Sequence, residues 1–222
     1  MKRVFCGAMR CAILASLVGV FAVPVGAAPT IQIGDTVEVV YVSTTPGAWV
    51  NITSPWLSGP LVAGIQSLKV DGVPMQSFCI ELAQHSSTSP VMYEVVALED
   101  APLPGPAMGE ADAMDIMKVW SWWKDSGQTP MDAAVAQCVI WEIRDDGNFG
   151  TGQFVLNSVS VKVQAQGLLD ALPTMTEYTP LLGLVSEGHQ GYAVPFVPVP
   201  GALLLGSFGL AVLSWSRRRR ML

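Results

Sequence analysis

Cys79 and Cys138 are the side chains in the central part of the chain with the greatest capacity for covalent chemistry. In an oxidising compartment, two cysteines that remain in an exported domain form a disulfide by default. A thiol beside an imidazole can instead act as a nucleophile, and the chain has two histidines, His85 and His189. The residue types therefore leave open a Cys79–Cys138 disulfide and a dyad of Cys79 with either histidine.

Other kinds of catalytic and cofactor site have no signature in this sequence. The His, Cys and Asp residues do not cluster at the spacing of metal ligands. There is no Gly-x-Ser-x-Gly nucleophile elbow, phosphate loop or dinucleotide fingerprint. Asp145 and Asp146 are most simply explained as a solvated turn. We therefore expect a protein that is not an enzyme and that has no catalytic residues, no metal and no cofactor.

Two short motifs surround Cys79 and Gln137. The first, Phe78-Cys79-Ile80-Glu81, lies in a predicted strand, and the second, Gln137-Cys138-Val139-Ile140-Trp141, lies in a predicted helix. In this order and separation, the pair resembles the bacterial thioester domains of surface adhesins. Those domains have an aromatic-Cys element on a strand and a Gln-x-x-Ile-Trp element on a helix. The resemblance covers residues 61–144.

The resemblance implies an internal thioester that joins the sulfur of Cys79 to the side-chain carbonyl of Gln137, with loss of ammonia. Ile140 and Trp141 match the apolar part of the motif one turn beyond Gln137, where they can pack over the bond. A thioester is more electrophilic than an amide, so it must be kept from bulk water. Phe78 and the tryptophans of one predicted helix can complete this apolar shield (Trp120, Trp122 and Trp123).

A domain of this kind is a covalent adhesin, in which an amine or hydroxyl on a partner surface, matrix component or polymer attacks the thioester once. The carboxamide of a glutamine is normally inert, so a thiol can attack it only if the two groups are held in contact. A rigid strand that faces a helix achieves this contact. The resemblance therefore implies acyl transfer without turnover.

Cys138 provides the alternative to this hypothesis. It is adjacent to Gln137 on the predicted helix, so the two side chains point about 100° apart and cannot both face Cys79 well. If Gln137 faces Cys79, Cys138 is a small buried hydrophobic residue. If Cys138 faces Cys79, the pair forms a disulfide, and the protein is a non-covalent extracellular matrix or structural protein.

The elements that must position these residues form an α+β domain. Alternating apolar residues predict strands, and the positive-φ tolerance of Asp71 and Gly72 predicts a hairpin between two of them. Thr129-Pro130-Met131-Asp132 predicts a capped helix start. The predicted strands cover 31–43, 61–70, 73–82, 91–98 and short pieces of 176–194; the predicted loop covers 44–60; the predicted helices cover 110–124, 130–144 and 158–172. Strands followed by helices and then strands indicate a small β barrel or sandwich with a helical insertion.

The two ends of the chain predict export. Residues 1–28 have a positive start, an apolar run and small residues before the cleavage site, as a secretory signal peptide does. Residues 195–222 combine Pro-x-Pro-Gly, a short apolar helix and an arginine cluster, which resembles the PEP-CTERM sorting signals of Gram-negative bacteria. Its recognition residues are Pro198, Pro200, Gly201, Arg217, Arg218, Arg219 and Arg220. The form is a variant, because Val199 stands where the commonest form has glutamate.

This tail implies a partner and a location. In that family a membrane protease-transpeptidase, an exosortase, is thought to recognise and remove the tail. The apolar stretch followed by arginines is a stop-transfer arrangement, since the positive charges stay on the cytoplasmic side. We therefore expect a transient anchor in the inner membrane and a mature domain, residues 29–194, at the cell surface or outside the cell.

The mature domain is strongly acidic. The chain has a formal net charge of −6, with 18 Asp and Glu against 12 Lys and Arg. All 18 acids lie between the two signals, where only five bases occur, so the domain carries 18 − 5 = 13 net negative charges. A surface of this kind repels phosphate backbones, which excludes nucleic acid as a partner.

Overall fold

The structure, a computed structural model, describes residues 31–102 and 105–196. These residues form a mixed α+β fold, which confirms the expected fold class. The strands are β1 (Thr36–Thr53), β2 (Ser58–Val70), β3 (Val73–Cys79), β4 (Val91–Ala97), β5 (Val155–Leu156), β6 (Leu181–Ser186) and β7 (His189–Pro195). The helices are α1 (Gly109–Asp125), α2 (Pro130–Asp145) and α3 (Val159–Ala171).

The seven strands form one sheet in the order β2-β3-β7-β6-β4-β1-β5, and β1 pairs with β2 as well. Every one of these pairings is antiparallel. The order places β3, which ends at Cys79, next to β7, the last strand along the chain. The candidate thiol therefore lies where an early strand meets a late one.

The first strand is longer than the sequence predicts. The loop prediction for residues 44–60 is wrong except at 54–57, because β1 continues to Thr53 and pairs with β2, which begins at Ser58. Two register shifts, one of them between Thr44 and Gly47, let the chain pass Pro46 without ending the strand. Gly64 on β2 permits this approach: its φ is +157°, and a Cβ there would lie 2.3 Å from the carbonyl oxygen of Pro46.

The hairpin prediction at Asp71 and Gly72 is confirmed. Their φ angles are 48° and 80°, in the left-handed region that such tight turns need. Val70 and Val73 pair directly on either side of the turn. The turn therefore sets the register of β3 and the depth at which Cys79 lies in the sheet.

Helix α2 begins as its sequence predicts. The hydroxyl of Thr129 accepts a hydrogen bond from the backbone N–H of Asp132, the Asp132 carboxylate accepts one from the backbone N–H of Thr129, and Pro130 occupies the first turn. Eleven consecutive residues of α2, from Ala133 to Ile143, are buried. A helix that is buried all round lies inside the fold, and α2 packs on β1, β2, α1 and α3.

The apolar core has two parts. The larger part surrounds α2 and contains the residues next to Cys79 and Gln137, and the smaller part lies among β1, β2, β3, β4, β6 and β7. No helix within residues 31–102 and 105–196 combines the length and apolar character that crossing a bilayer requires. The predicted signal peptide and the recognition residues of the sorting tail lie outside the described residues.

Candidate functional site

The end of β3 positions Cys79. Phe78 and Cys79 pair with Ala193 and Tyr192 of β7, and the next backbone N–H, that of Ile80, donates to the carbonyl of Gly191. Neither Phe78 nor Cys79 has any exposed surface. Because neighbouring residues of a strand point to opposite sides, the end of β3 is covered on both faces.

Helix α2 places Gln137 directly against Cys79. The Oε1 atom of Gln137 accepts a hydrogen bond from the backbone N–H of Cys79 at 3.0 Å, and its Nε2 donates to the carbonyl of Cys79 at 2.7 Å. Gln137 is 0% exposed, and these bonds satisfy its buried carboxamide. The two residues of the predicted thioester are therefore in contact, with the carboxamide held in one orientation.

The thiol of Cys79 is fully buried and protonated. Its Sγ donates to the carbonyl of Glu81 at 2.6 Å. Burial raises the pKa of the thiol to about 12, although the neighbouring indole of Trp141 lowers it in part. The thiolate is therefore scarce at neutral pH, so a reaction of this sulfur must move the thiol proton as the new bond forms.

Cys138 lies next to Gln137 on α2 and is also fully buried. Cys79 and Cys138 are both free thiols in the structure. Burial raises the pKa of Cys138. Of the two adjacent side chains on α2, Gln137 is the one that hydrogen-bonds Cys79, and Cys138 contributes to the core.

Aromatic side chains cover one side of the site. The ring of Phe78 makes edge-to-face contacts with Trp120 and Trp123 at centroid distances of 5.4 and 5.8 Å, and the two tryptophans contact each other at 5.7 Å. Such pairs stabilise a fold by about 0.5–1.5 kcal/mol beyond their buried area. Trp122 is only half-buried and lines a surface groove instead.

Trp141 covers another side. It is 4% exposed, and its ring packs on Phe154 at a centroid distance of 5.9 Å, which in turn contacts Phe149. The indole N–H of Trp141 is buried, makes no close hydrogen bond to any of the described residues, and lies near enough to the Cys79 sulfur to lower the pKa of that thiol. Ile140, the other predicted supporting residue, is completely buried beside it. Trp141 therefore combines an apolar wall with an unused donor close to the sulfur of Cys79.

Two cavities meet at Trp141. The larger, of about 360 Å³, is lined by Ile80, Glu81 and the end of α2, and the smaller, of about 200 Å³, is lined by His85 and Gln190. Trp141 and Leu82 line both cavities. A molecule that enters either cavity therefore contacts Trp141 and Leu82, which lies three residues after Cys79 along the chain.

The structure does not support a cysteine–histidine dyad. The hydrogen-bond partner of the Cys79 thiol is the Glu81 carbonyl, and neither described histidine bonds to the thiol. His85 is exposed, and its carbonyl accepts a hydrogen bond from the backbone N–H of Gln190. His189 begins β7.

The sequence analysis missed two residues near the site. Glu81 holds the thiol through its backbone carbonyl and binds the Gly191 N–H through its carboxylate, at 2.9 Å. Glu142, on the last turn of α2, is 0% exposed, and burial raises the pKa of its carboxyl to about 8, helped by Asp146. The sequence signal for Glu142 was its spacing from Asp145 and Asp146, which places all three at one end of the helix.

The chain matches no family model, no curated protein and no solved structure.

Proposed function

We propose that this protein is an exported surface protein in which Cys79 and Gln137 form an internal thioester that captures a partner covalently. The observation that carries the proposal is the pair of hydrogen bonds between the Gln137 carboxamide and the backbone of Cys79. A buried glutamine has many ways to satisfy its carboxamide. Here the carboxamide of Gln137 is bound to the backbone of Cys79, and Cys79 is the residue whose sulfur the two motifs pair with Gln137.

Formation of the thioester needs only the Cys79 thiol and the Gln137 carboxamide, with no further reactant. Sγ of Cys79 attacks Cδ of Gln137, the C–N bond of the carboxamide breaks, and the thiol proton leaves with the nitrogen as ammonia. Burial raises the pKa of the thiol, so the proton stays on sulfur before the attack and is available to the departing nitrogen. The fixed orientation of the carboxamide supplies the proximity that this otherwise slow reaction needs.

The capture step reverses the roles of the two groups. An amine nitrogen of the partner bonds to Cδ of Gln137, the C–S bond breaks, and an amine proton passes to the sulfur of Cys79. Glu81, Asp145 and Arg144 line the larger cavity, and the two carboxylates outweigh the one guanidinium, so the lining attracts a cationic amine more than a neutral hydroxyl. The amine attacks in its neutral form, after it has lost one proton to solvent. A hydroxyl nucleophile would give an ester by the same steps.

The surroundings of the site fit a bond that must be protected. Phe78, Trp120, Trp123 and Trp141 exclude water, which would otherwise hydrolyse the thioester. The sequence predicts a small β barrel or sandwich, and the ring of strand pairings that the β1–β2 pairing closes supports the barrel as a rigid support for Cys79.

The decisive experiment is an intact mass of the purified protein, with its termini assigned by peptide mapping. We expect a mass one ammonia below that of the sequence, and methylamine should add to Gln137 and free the Cys79 thiol. Cys79→Ala or Gln137→Ala should abolish both effects, and Cys138→Ala should preserve them. A mass lower by two hydrogens, restored by reductant and lost in Cys138→Ala, would instead show a disulfide and a non-covalent matrix protein.

The proposal for export has its own test. The arginine cluster Arg217, Arg218, Arg219 and Arg220 follows a short apolar stretch. Replacing all four arginines by serine should release or mislocalise the protein, because the charges that hold the cytoplasmic side are gone. Surface display at unchanged size would contradict an exosortase-processed tail.

A further inference from the structure

The last turn of α2 holds three carboxylates that face one another. Glu142, Asp145 and Asp146 each place one carboxylate oxygen within 4.8 Å of the others. Acidic groups on a surface commonly lie close together without a ligand, so this grouping alone does not indicate an ion site. One member of the group differs from a surface acid.

Glu142 is 0% exposed, and its two carboxylate oxygens differ in their hydrogen bonds. Oε1 accepts the backbone N–H of Asn148 at 2.9 Å, whereas Oε2 is buried and accepts no hydrogen bond from any of the described residues. An unpaired buried carboxylate oxygen costs free energy, so native structures rarely leave one. Its near neighbour is the carboxylate of Asp146, which also offers only acceptors when ionised. A cation or a proton held between the two groups would satisfy both.

The electrostatic surroundings favour a cation at this position. Asp112, Asp115 and Asp170 line the same cavity, of about 590 Å³, as Asp145 and Asp146. Arg144 neutralises Asp112 at 3.0 Å and Lys118 neutralises Asp115 at 2.8 Å. Both bases are therefore paired with carboxylates outside the Glu142, Asp145 and Asp146 group, whose negative charge remains uncompensated by them. The carbonyl end of a helix carries a partial negative charge, which adds to the attraction.

We propose that Glu142, Asp145 and Asp146 bind a calcium ion that ties the end of α2 to the loop 147–154. Carboxylate oxygens are the ligands of hard cations. Calcium accepts six to eight oxygens in irregular arrangements, which suits three carboxylates, one of them exposed, with water at the remaining positions. Magnesium demands a near-ideal octahedron and fits such an irregular set less well.

The loop that this ion would hold carries the wall beside the candidate thioester. The carboxylate of Asp145 accepts the backbone N–H of Phe154 at 2.8 Å, and the ring of Phe154 packs on Trp141. A Cβ on Gly152 would lie 2.0 Å from the same carboxylate, so the loop passes very close to it. Calcium should therefore stiffen the cover of the site. This consequence rests on the proposed function, whereas the ion site itself does not.

The test is thermal unfolding of the purified protein after treatment with chelator. An extracellular site of modest affinity has a Kd of about 10⁻⁴ M, so about 10 mM calcium supplies about 100 Kd. We expect the Tm to rise by about 5–10 °C for a domain of this size. Terbium(III), excited through the protein's tryptophans, should luminesce when bound and be displaced by calcium.

Asp146→Asn, at an exposed position, and Glu142→Gln should each lose at least half of the calcium-induced rise in Tm. The matched control is Asp125→Asn, which removes an exposed acid from the end of α1 and should respond as the wild type does. An equal rise with magnesium, or an undiminished rise in Asp146→Asn, overturns the proposal, because either result indicates general screening. So does an unresponsive wild type with a more stable Glu142→Gln, which would assign the buried oxygen to a proton shared with Asp146.

Discussion

Gln137→Glu isolates the chemistry of the candidate site with the smallest change in shape. Hydrolysis of a thioester at Gln137 would leave a glutamate side chain there, so the variant reproduces the spent form of the protein. It has no ammonia to lose. We therefore expect its mass to equal that of its sequence and methylamine to leave it unchanged.

The structure also gives the effect of Gln137→Glu on stability. The Nε2 of Gln137 donates to the Cys79 carbonyl at 2.7 Å, and a carboxylate at that place has no proton to donate. The carboxyl must stay protonated in the fold, so its pKa rises above the value of about 4.3 in the unfolded chain. Stability is then highest below pH 4.3 and falls as pH rises through the folded-state pKa. A shift of about 3 units for a buried carboxyl amounts to about 4 kcal/mol by pH 8.

The assay is urea-induced unfolding of the variant at pH 5 and pH 8. The matched control is Gln164→Glu, which makes the same change at an exposed position on α3 and should behave alike at both pH values. A loss of stability in Gln137→Glu that does not change with pH would refute the pairing of this side chain with the Cys79 carbonyl. Uptake of methylamine by the variant would refute the choice of Gln137 as the acyl donor.

Three further predictions concern the surroundings of Cys79. Trp141→Ala should speed hydrolysis and methylamine opening of the thioester by about tenfold or more, because a tenfold faster rate needs an activation barrier only about 1.4 kcal/mol lower. The control Trp49→Ala, at a 73% exposed position, should leave both rates unchanged. Equal rates in the two variants would show that Trp141 does not protect the thioester. Burial raises the pKa of Cys79 to about 12 in the structure. In Gln137→Glu, where this thiol stays free, iodoacetamide should therefore alkylate Cys79 of the native protein about 10³-fold more slowly than Cys79 of the urea-unfolded one; comparable rates at Cys79, read by peptide mapping, would show that the thiol is not buried. Phe78→Ala should lower the free energy of unfolding by about 3–5 kcal/mol through loss of its contacts with Trp120 and Trp123, and a loss below about 1 kcal/mol, measured by denaturant titration, would contradict that packing.

Local signals in the sequence were sufficient where the chain folds back on itself over a few residues. The turn at Asp71 and Gly72 and the cap at Thr129 are confirmed because each depends on its own backbone angles and short-range hydrogen bonds. The start of α2 at Pro130 follows from them. These features already bring the two motifs onto a strand and a helix.

The second half of β1 could not be predicted in the same way. Residues 46–53 contain Pro46 and Gly47, which favour loops, and they form a strand only because β2 pairs with them. The bulge that makes this possible depends on Gly64, a residue of the partner strand. Whether such a segment forms a strand or a loop depends on its pairing with a segment that is distant along the chain.

The contacts of Glu142 show the same limit at the level of a side chain. Its neighbours Asp145 and Asp146 suggested a solvated turn, which is correct for the exposed Asp146. Glu142 is buried because the loop that carries Phe149 and Asn148 folds over it. Burial of a carboxyl depends on tertiary packing, which spacing along the chain does not reveal.

The position of β7 has a mechanical consequence. This strand is held on one side by β3, through Phe78 and Cys79, and on the other by β6, through most of its length. Tension applied at Pro195 along the axis of β7 would load both ladders in shear and would not open their hydrogen bonds one at a time. The first strand to bear the load lies beside Cys79. A tether that pulls from this end along β7 would therefore be resisted by all the hydrogen bonds of both ladders at once.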